Sequence, residues 1–183
     1  MNKVSKIFFV LIFCVLLLST VMLITLQKEI NSLEKVQSLL MEFAVNLSES
    51  GYVKVSTEAD NYSTAKTNFG NFPVIAGKVE PYLDGYKVHL RVGNITTASF
   101  NGAKVTVKWG LEPNPYMIAE NLVEGYDPLN IVKKKQKSKE FDISNIFRPG
   151  SYCGFDVILS PAKPEEVKAI YVKLSFSRIS LHR

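Results

Sequence analysis

Residues 7–26, IFFVLIFCVLLLSTVMLITL, run for twenty positions with neither a charged side chain nor a proline. At about 1.5 Å of rise per residue, a helix of that length matches the roughly 30 Å hydrocarbon core of a bilayer. The stretch is therefore read as a transmembrane helix. A cleavable signal peptide would carry a shorter apolar region, about 7 to 15 residues, closed by a small-x-small site. Here Ser19 and Thr20 are followed by Val21, Met22, Leu23 and Ile24, so a peptidase would cut inside apolar sequence. A lipid-modified cysteine fits no better, because Cys14 follows bulky Ile12 and Phe13 and precedes more apolar residues. Lys3, Lys6 and the terminal amine crowd the leading side, whereas Lys28 and Lys35 trail at wider spacing. The positive-inside bias then leaves residues 1–6 in the cytoplasm and the bulk of the chain outside it. The expectation is a single-pass inner-membrane protein with a periplasmic C-terminal domain.

Past the membrane the apolar spacing becomes heptad-like: Leu26, Ile30, Leu33, Gln37, Leu40, Ala44 and Leu47 are separated by alternating steps of four and three. That pattern predicts a helical stalk over 27–50, continuous with the span, since no Gly or Pro intervenes before Gly51. Ile30, Leu33, Leu40 and Leu47 are its candidate interface. Two partners suit such a stripe, the protein's own head or the helix of another copy.

From Tyr52 onward, β-branched and aromatic residues alternate with polar ones and Gly, Pro and Asn punctuate them, which predicts strands. They are placed at 52–58, 73–80, 86–93, 103–109, 139–143, 151–159 and 167–177. Seven short antiparallel strands predict a mainly β domain over 51–183, an immunoglobulin-like β-sandwich with an apolar face turned inward from each sheet. Val88, Leu90 and Val92 alternate with Lys87, His89 and Arg91; Val105 and Val107 alternate with Lys104, Thr106 and Lys108. Whether these two basic rows share a sheet is left open, because GNITTASFNGA between them is long enough to cross from one sheet to the other. The stretch 110–138 is broken by Pro113, Pro115 and Pro128, and YMIAENLVE within it reads as a helical turn or an edge strand.

The segments GYKVHLRVGN, GAKVTVKWG and RPGSYCGFDVILSP, with the anchor before them, resemble a family of small bacterial envelope proteins in which a membrane anchor and short helix precede a β-sandwich. The resemblance implies a periplasmic location and that fold, and carries no activity and no functional residue with it.

Catalytic patterns are missing from the chain. Its two histidines, His89 and His182, have no evident partner in sequence. There is no G-x-S-x-G, H-E-x-x-H, C-x-x-C or Gly-rich phosphate loop. Acidic and amide residues at 120–130 lack the spacing of a calcium loop, and no set of His, Cys and carboxylates converges at metal-ligand spacing. No cofactor is expected, and an enzyme is the distant alternative. Cys153 is in phase with Phe155, Val157 and Leu159 and reads as a core thiol. The sequons at Asn46, Asn61 and Asn94 have no use in a bacterial envelope.

Charge stands out more. Residues 51–183 hold 18 Lys and Arg against 13 Asp and Glu, and Lys133, Lys134, Lys135, Lys137 and Lys139 crowd into one run. Such a run is usually solvated or guards an edge strand; its functional reading is contact with anionic lipid or an acidic envelope polymer. No nucleic-acid partner is expected, because the domain falls on the other side of the membrane and no aromatic-basic stacking motif accompanies the lysines. The function expected from these observations is a non-catalytic binding or assembly module of the envelope with a protein partner, the alternative being direct binding to anionic material.

Overall fold

The computed structural model describes the backbone of residues 3–58, 61–110, 132 and 134–180, and the side chains of the same residues apart from 3–12, 14 and 15. One helix, α1 (Lys3–Glu49), leads into strands β1 (Val53–Ser56), β2 (Tyr62–Thr67), β3 (Gly70–Tyr82), β4 (Gly85–Asn94), β5 (Ser99–Trp109), β6 (Lys137–Phe147), β7 (Ser151–Leu159), β8 (Ala169–Phe176) and β9 (Ile179–Ser180). A 3-10 turn, Pro164–Glu166, lies between β7 and β8. Both YMIAENLVE and the acidic stretch 120–130 fall outside the described residues.

The strands form two antiparallel sheets. One runs β1-β8-β5-β6, with β9 pairing the start of β5; the other runs β2-β3-β4-β7. The sandwich expected from the alternation is present, but its order is not that of an immunoglobulin domain, in which the first two strands share a sheet. Here β1 and β2 lie in opposite sheets, and the Ser63 hydroxyl donates to the Lys54 carbonyl across the seam. β4 and β5 also lie in opposite sheets, so the two basic rows face opposite sides of the head.

Alternation explains the core. Val88, Leu90 and Val92 from β4 and Val105, Val107 and Trp109 from β5 are all buried, with Phe155, Val157 and Leu159 from β7 and Ile170, Val172 and Leu174 from β8. One end of the core is aromatic: the Phe72 and Phe100 rings each lie 4.5 Å from Phe176, and Phe147 lies 5.3 Å from it. A bulge between Ala76 and Val79 bends β3 without turning its apolar residues outward. Gly85 is required by close approach, because a Cβ there would sit 2.1 Å from the Leu159 carbonyl oxygen.

α1 is unbroken for 47 residues. Gly51, at φ +77°, ends it, with the Gly51 N–H on the Ser48 carbonyl and the Tyr52 N–H on the Leu47 carbonyl. Its last turns lie on the outer face of the β1-β8-β5-β6 sheet, where Phe43, Leu47 and Val132 form a second apolar cluster with Leu39, Tyr52 and Tyr171. Among the described residues no helix is long and apolar enough to cross a membrane. Much of the run 7–26 belongs to the part of α1 whose side chains lie outside the described set.

Candidate functional site

The four described lysines of the basic run do not make one face. Lys133 lies outside the described residues, and Lys134 and Lys135 are exposed just before β6. Lys137 stands opposite Trp109 in the β5–β6 ladder and Lys139 opposite Val107, so both point to the inner side of an edge strand. The Lys137 ammonium donates to the Pro161 carbonyl at 2.9 Å and to Glu166 Oε2 at 2.8 Å. Burial alone would raise the Glu166 carboxyl, but the Lys137 ammonium and the Lys163 backbone N–H outweigh it and hold the group below the usual carboxylate range. Lys139 places its ammonium 5.3 Å from the centre of the Phe141 ring. Inward-pointing charges on an edge are a standard guard against strand addition, and these two lysines fit that role.

The helical stripe divides as well. Ile30 and Leu33 are exposed, Leu40 is half-buried and Leu47 is buried. The buried face of the helix is Val36, Phe43 and Leu47; Phe43 and Leu47 dock on the head, with the Phe43 ring edge-on to Tyr171 at 6.3 Å. At 3.6 residues per turn that face lies about a quarter-turn from the row Leu26, Ile30, Leu33, Gln37 and Ala44. The helix therefore carries its own head on one stripe and leaves a second apolar stripe to solvent, with Leu26, Ile30 and Leu33 at 44%, 49% and 65% exposure.

A basic patch that the sequence analysis did not single out sits beside the helix end. The Lys108 ammonium lies 4.2 Å from the Tyr52 ring centre and that of Lys173 lies 5.7 Å from it. Burial lowers the Lys108 ammonium's pKa, and the neighbouring Lys173 charge lowers it further. The signal was legible only in part, since the register that puts Lys108 and Lys173 near one tyrosine depends on β5 pairing with β8.

On the opposite face of the head, His89 Nδ1 meets Asp156 Oδ1 at 2.8 Å, and the imidazole covers Gly154, where a Cβ would come within 2.9 Å of Nε2. Arg91 stacks over Tyr152 at 5.1 Å, and Lys87 pairs with Glu80 at 3.2 Å. The polar rows thus answer one another across strands, as an exposed sheet face does. Burial raises the Cys153 thiol, offset in part by its hydrogen bond with Asn145, so it stays protonated and unreactive at neutral pH. Among the described residues, no three His, Cys, Asp or Glu side chains gather where they could hold a metal ion.

Comparison of the whole fold with solved structures finds the trimeric lipoprotein SadB of Salmonella enterica, at a TM-score of 0.59 and 14% identity, covering 98% of this chain and 89% of that one. The uncharacterized lipoprotein yajI of Escherichia coli is similar at a TM-score of 0.53 and 12% identity, over 75% of each chain. At such identities the likeness is one of fold. No protein-family model matches the sequence, and no curated protein matches it.

Proposed function

We propose that this chain is a membrane-anchored, non-catalytic binding or assembly module of the bacterial envelope, held by the apolar stretch 7–26 with its head outside the cytoplasm. The observation that carries the reading is the continuity of α1: one helix joins the apolar stretch to a sandwich on which its last turns are docked, so the head is held at a set distance from the anchor. Both fold neighbours are lipoproteins, which supports attachment to a membrane. Attachment here is assigned to the helix rather than to a lipid on Cys14, because Phe13 fills the position where a small residue is needed. Flotation of the full chain with membranes tests this. Cys14→Ser should float as the parent does, and deletion of residues 1–26 should release the head. If Cys14→Ser alone releases it, the anchor is a lipid.

Self-association through the uncovered stripe is part of the same reading. Anchoring makes the helices of neighbouring copies parallel, the 4-3 spacing suits knobs-into-holes packing, and the neighbour SadB is trimeric. Ile30→Glu with Leu33→Glu should abolish crosslinked oligomers in membranes while leaving the head folded. Direct binding to anionic material is the second reading, favoured by exposed Lys134 and Lys135. It requires salt-sensitive binding to anionic vesicles that falls when both become Gln.

A further inference from the structure

The turn between β3 and β4 combines two costs in one residue. Leu83, paired ends Tyr82 and Gly85 on either side, takes φ +52° and is 87% exposed. A left-handed position in a tight hairpin ordinarily holds Asn, Asp or Gly, because an L side chain is strained there. A solvated turn ordinarily holds a polar residue. This one holds leucine, within PYLDGY, and Tyr82 beside it is 41% exposed. Strain and apolar exposure concentrated at one tip are a reason to look for what the tip touches.

The direction of α1 says which way that tip points. Phe43 lies against Tyr171, which stands opposite Lys108, whereas Gly51 lies against Lys173, which stands nearer the middle of β5, opposite Thr106. Along the sheet, α1 therefore runs from the Trp109 end of β5 toward its Ala103 end, and its N-terminal part projects beyond the Trp109 end. The Leu83 turn is at that same end. Trp109 donates to the Pro161 carbonyl, the Ser160 hydroxyl bonds Asp84, and the Ala162 N–H donates to the Asp84 carbonyl. Exposed Lys134, Lys135 and Lys163 lie there too.

From Phe43 back to Leu26 is about 25 Å of helix at 1.5 Å per residue. The Leu83 tip reaches about 10 Å of that way, some three strand residues past Lys108. A headgroup layer takes up roughly 5 to 8 Å of the remainder. The tip belongs to the β2-β3-β4-β7 sheet, roughly 20 Å from the helix axis, so a helix tilt of about 20° toward that side lowers it by about 7 Å, against a remaining gap of about 7 to 10 Å.

Resting on the anchored-module reading above, we infer that the Tyr82-Leu83 tip is a membrane-contact element that rests in the headgroup layer of the bilayer holding α1. Tyrosine and leucine are side chains that interface takes readily, and Lys134, Lys135 and Lys163 face lipid phosphates. The contact fixes the head's tilt over the membrane, leaving the opposite end, with the β2–β3 turn, directed outward.

The test uses the full chain in phosphatidylcholine–phosphatidylglycerol vesicles, in a Cys14→Ser, Cys153→Ala background, with a fluorophore on Leu83→Cys or, at the far end, on Asn68→Cys. Quenching by headgroup-nitroxide lipid should be several-fold greater at 83 than at 68, and aqueous iodide should show the reverse. Leu83→Asn, which suits the left-handed backbone, should leave thermal stability equal or higher, yet cut lipid quenching of a label on Lys163→Cys at least about twofold. Equal quenching at 83 and 68 in chain that co-floats with vesicles overturns the contact alone. Failure to co-float overturns the anchoring reading and the contact with it.

Discussion

Trp109 offers the sharpest check on the packing of the head. It is the last residue of β5, 3% exposed, and its indole N–H donates to the Pro161 carbonyl at 3.3 Å. The same carbonyl also accepts from Lys137 at 2.9 Å. Trp109→Ala removes a buried bicyclic ring from between the sheets, a change that costs about 3–5 kcal/mol. Trp109→Phe keeps a ring in the site and loses the donor. Because Lys137 still satisfies Pro161, that second change forfeits one neutral hydrogen bond, about 1 kcal/mol, plus a small void.

For a head of this size each kcal/mol moves the melting temperature by about 3–5 °C, so Ala should lower it by about 10–20 °C and Phe by about 5 °C. Trp109 is the only tryptophan, so the variants must be followed by calorimetry or tyrosine circular dichroism rather than by indole fluorescence. Tyr62→Ala, at 71% exposure, is the control and should stay within about 0.5 kcal/mol. An Ala variant melting within about 2 °C of the parent would refute the assignment of Trp109 to the core.

Three further perturbations read other parts of the structure. Glu166 titrates below its unfolded value, so the Lys137–Glu166 pair stabilises the fold above about pH 4.3 and that contribution fades as pH falls through the lower, folded value; Glu166→Gln should cost about 1–2 kcal/mol at pH 7 in urea melts, the difference vanishing in acid. A fragment starting at Glu34 should melt as a cooperative head, whereas one starting at Gly51 loses Val36, Phe43 and Leu47, uncovers Tyr52 and Tyr171, and should be about 2–5 kcal/mol less stable in the same melts. Asn94→Ala leaves the buried Ala98 and Phe147 carbonyls without their amide donor, and calorimetry should show a loss of about 2–4 kcal/mol.

Strands with clean alternation were legible from the sequence because burial on one face alone decides them: β4, β5, β7 and β8 lie within a few residues of their expected places. β2 was not. Tyr-Ser-Thr-Ala-Lys-Thr holds one fully buried side chain, Ala65, and its strand character comes from pairing with β3, a non-local contact that periodicity does not carry. The seam on α1 was drawn by spacing alone, which ranks Gln37 and Ala44 above Val36 and Phe43. The head selects Phe43 because Tyr171 on β8, with Tyr52 just before β1, stands ready to receive it. The exposed lysines were legible as residues and not as a surface, since strand register turns Lys137 and Lys139 toward the interior side of an edge.

Asn94 shows how a motif can mislead and still matter. Asn94-Ile-Thr96 has the form of a glycosylation acceptor, yet Asn94 is 1% exposed and both ends of its amide are in use. Its Nδ2 donates to the Ala98 and Phe147 carbonyls at 2.7 and 2.9 Å, and its Oδ1 accepts from the Thr96 N–H and hydroxyl at 3.0 and 2.8 Å. The Asn94 carbonyl accepts from the Gly150 N–H at 2.8 Å. The same asparagine and threonine that spell a sequon thus form the turn that carries the chain from one sheet to the other, and tie it to the β6–β7 corner. An asparagine suits this because its side chain offers both a donor and an acceptor on a short stem, whereas aspartate would lack the donor and glutamine would overshoot the turn. Within GNITTASFNGA the crossover proper is therefore only residues 95–98, stapled by Asn94 at the end of β4, and it carries the chain to β5 in the opposite sheet.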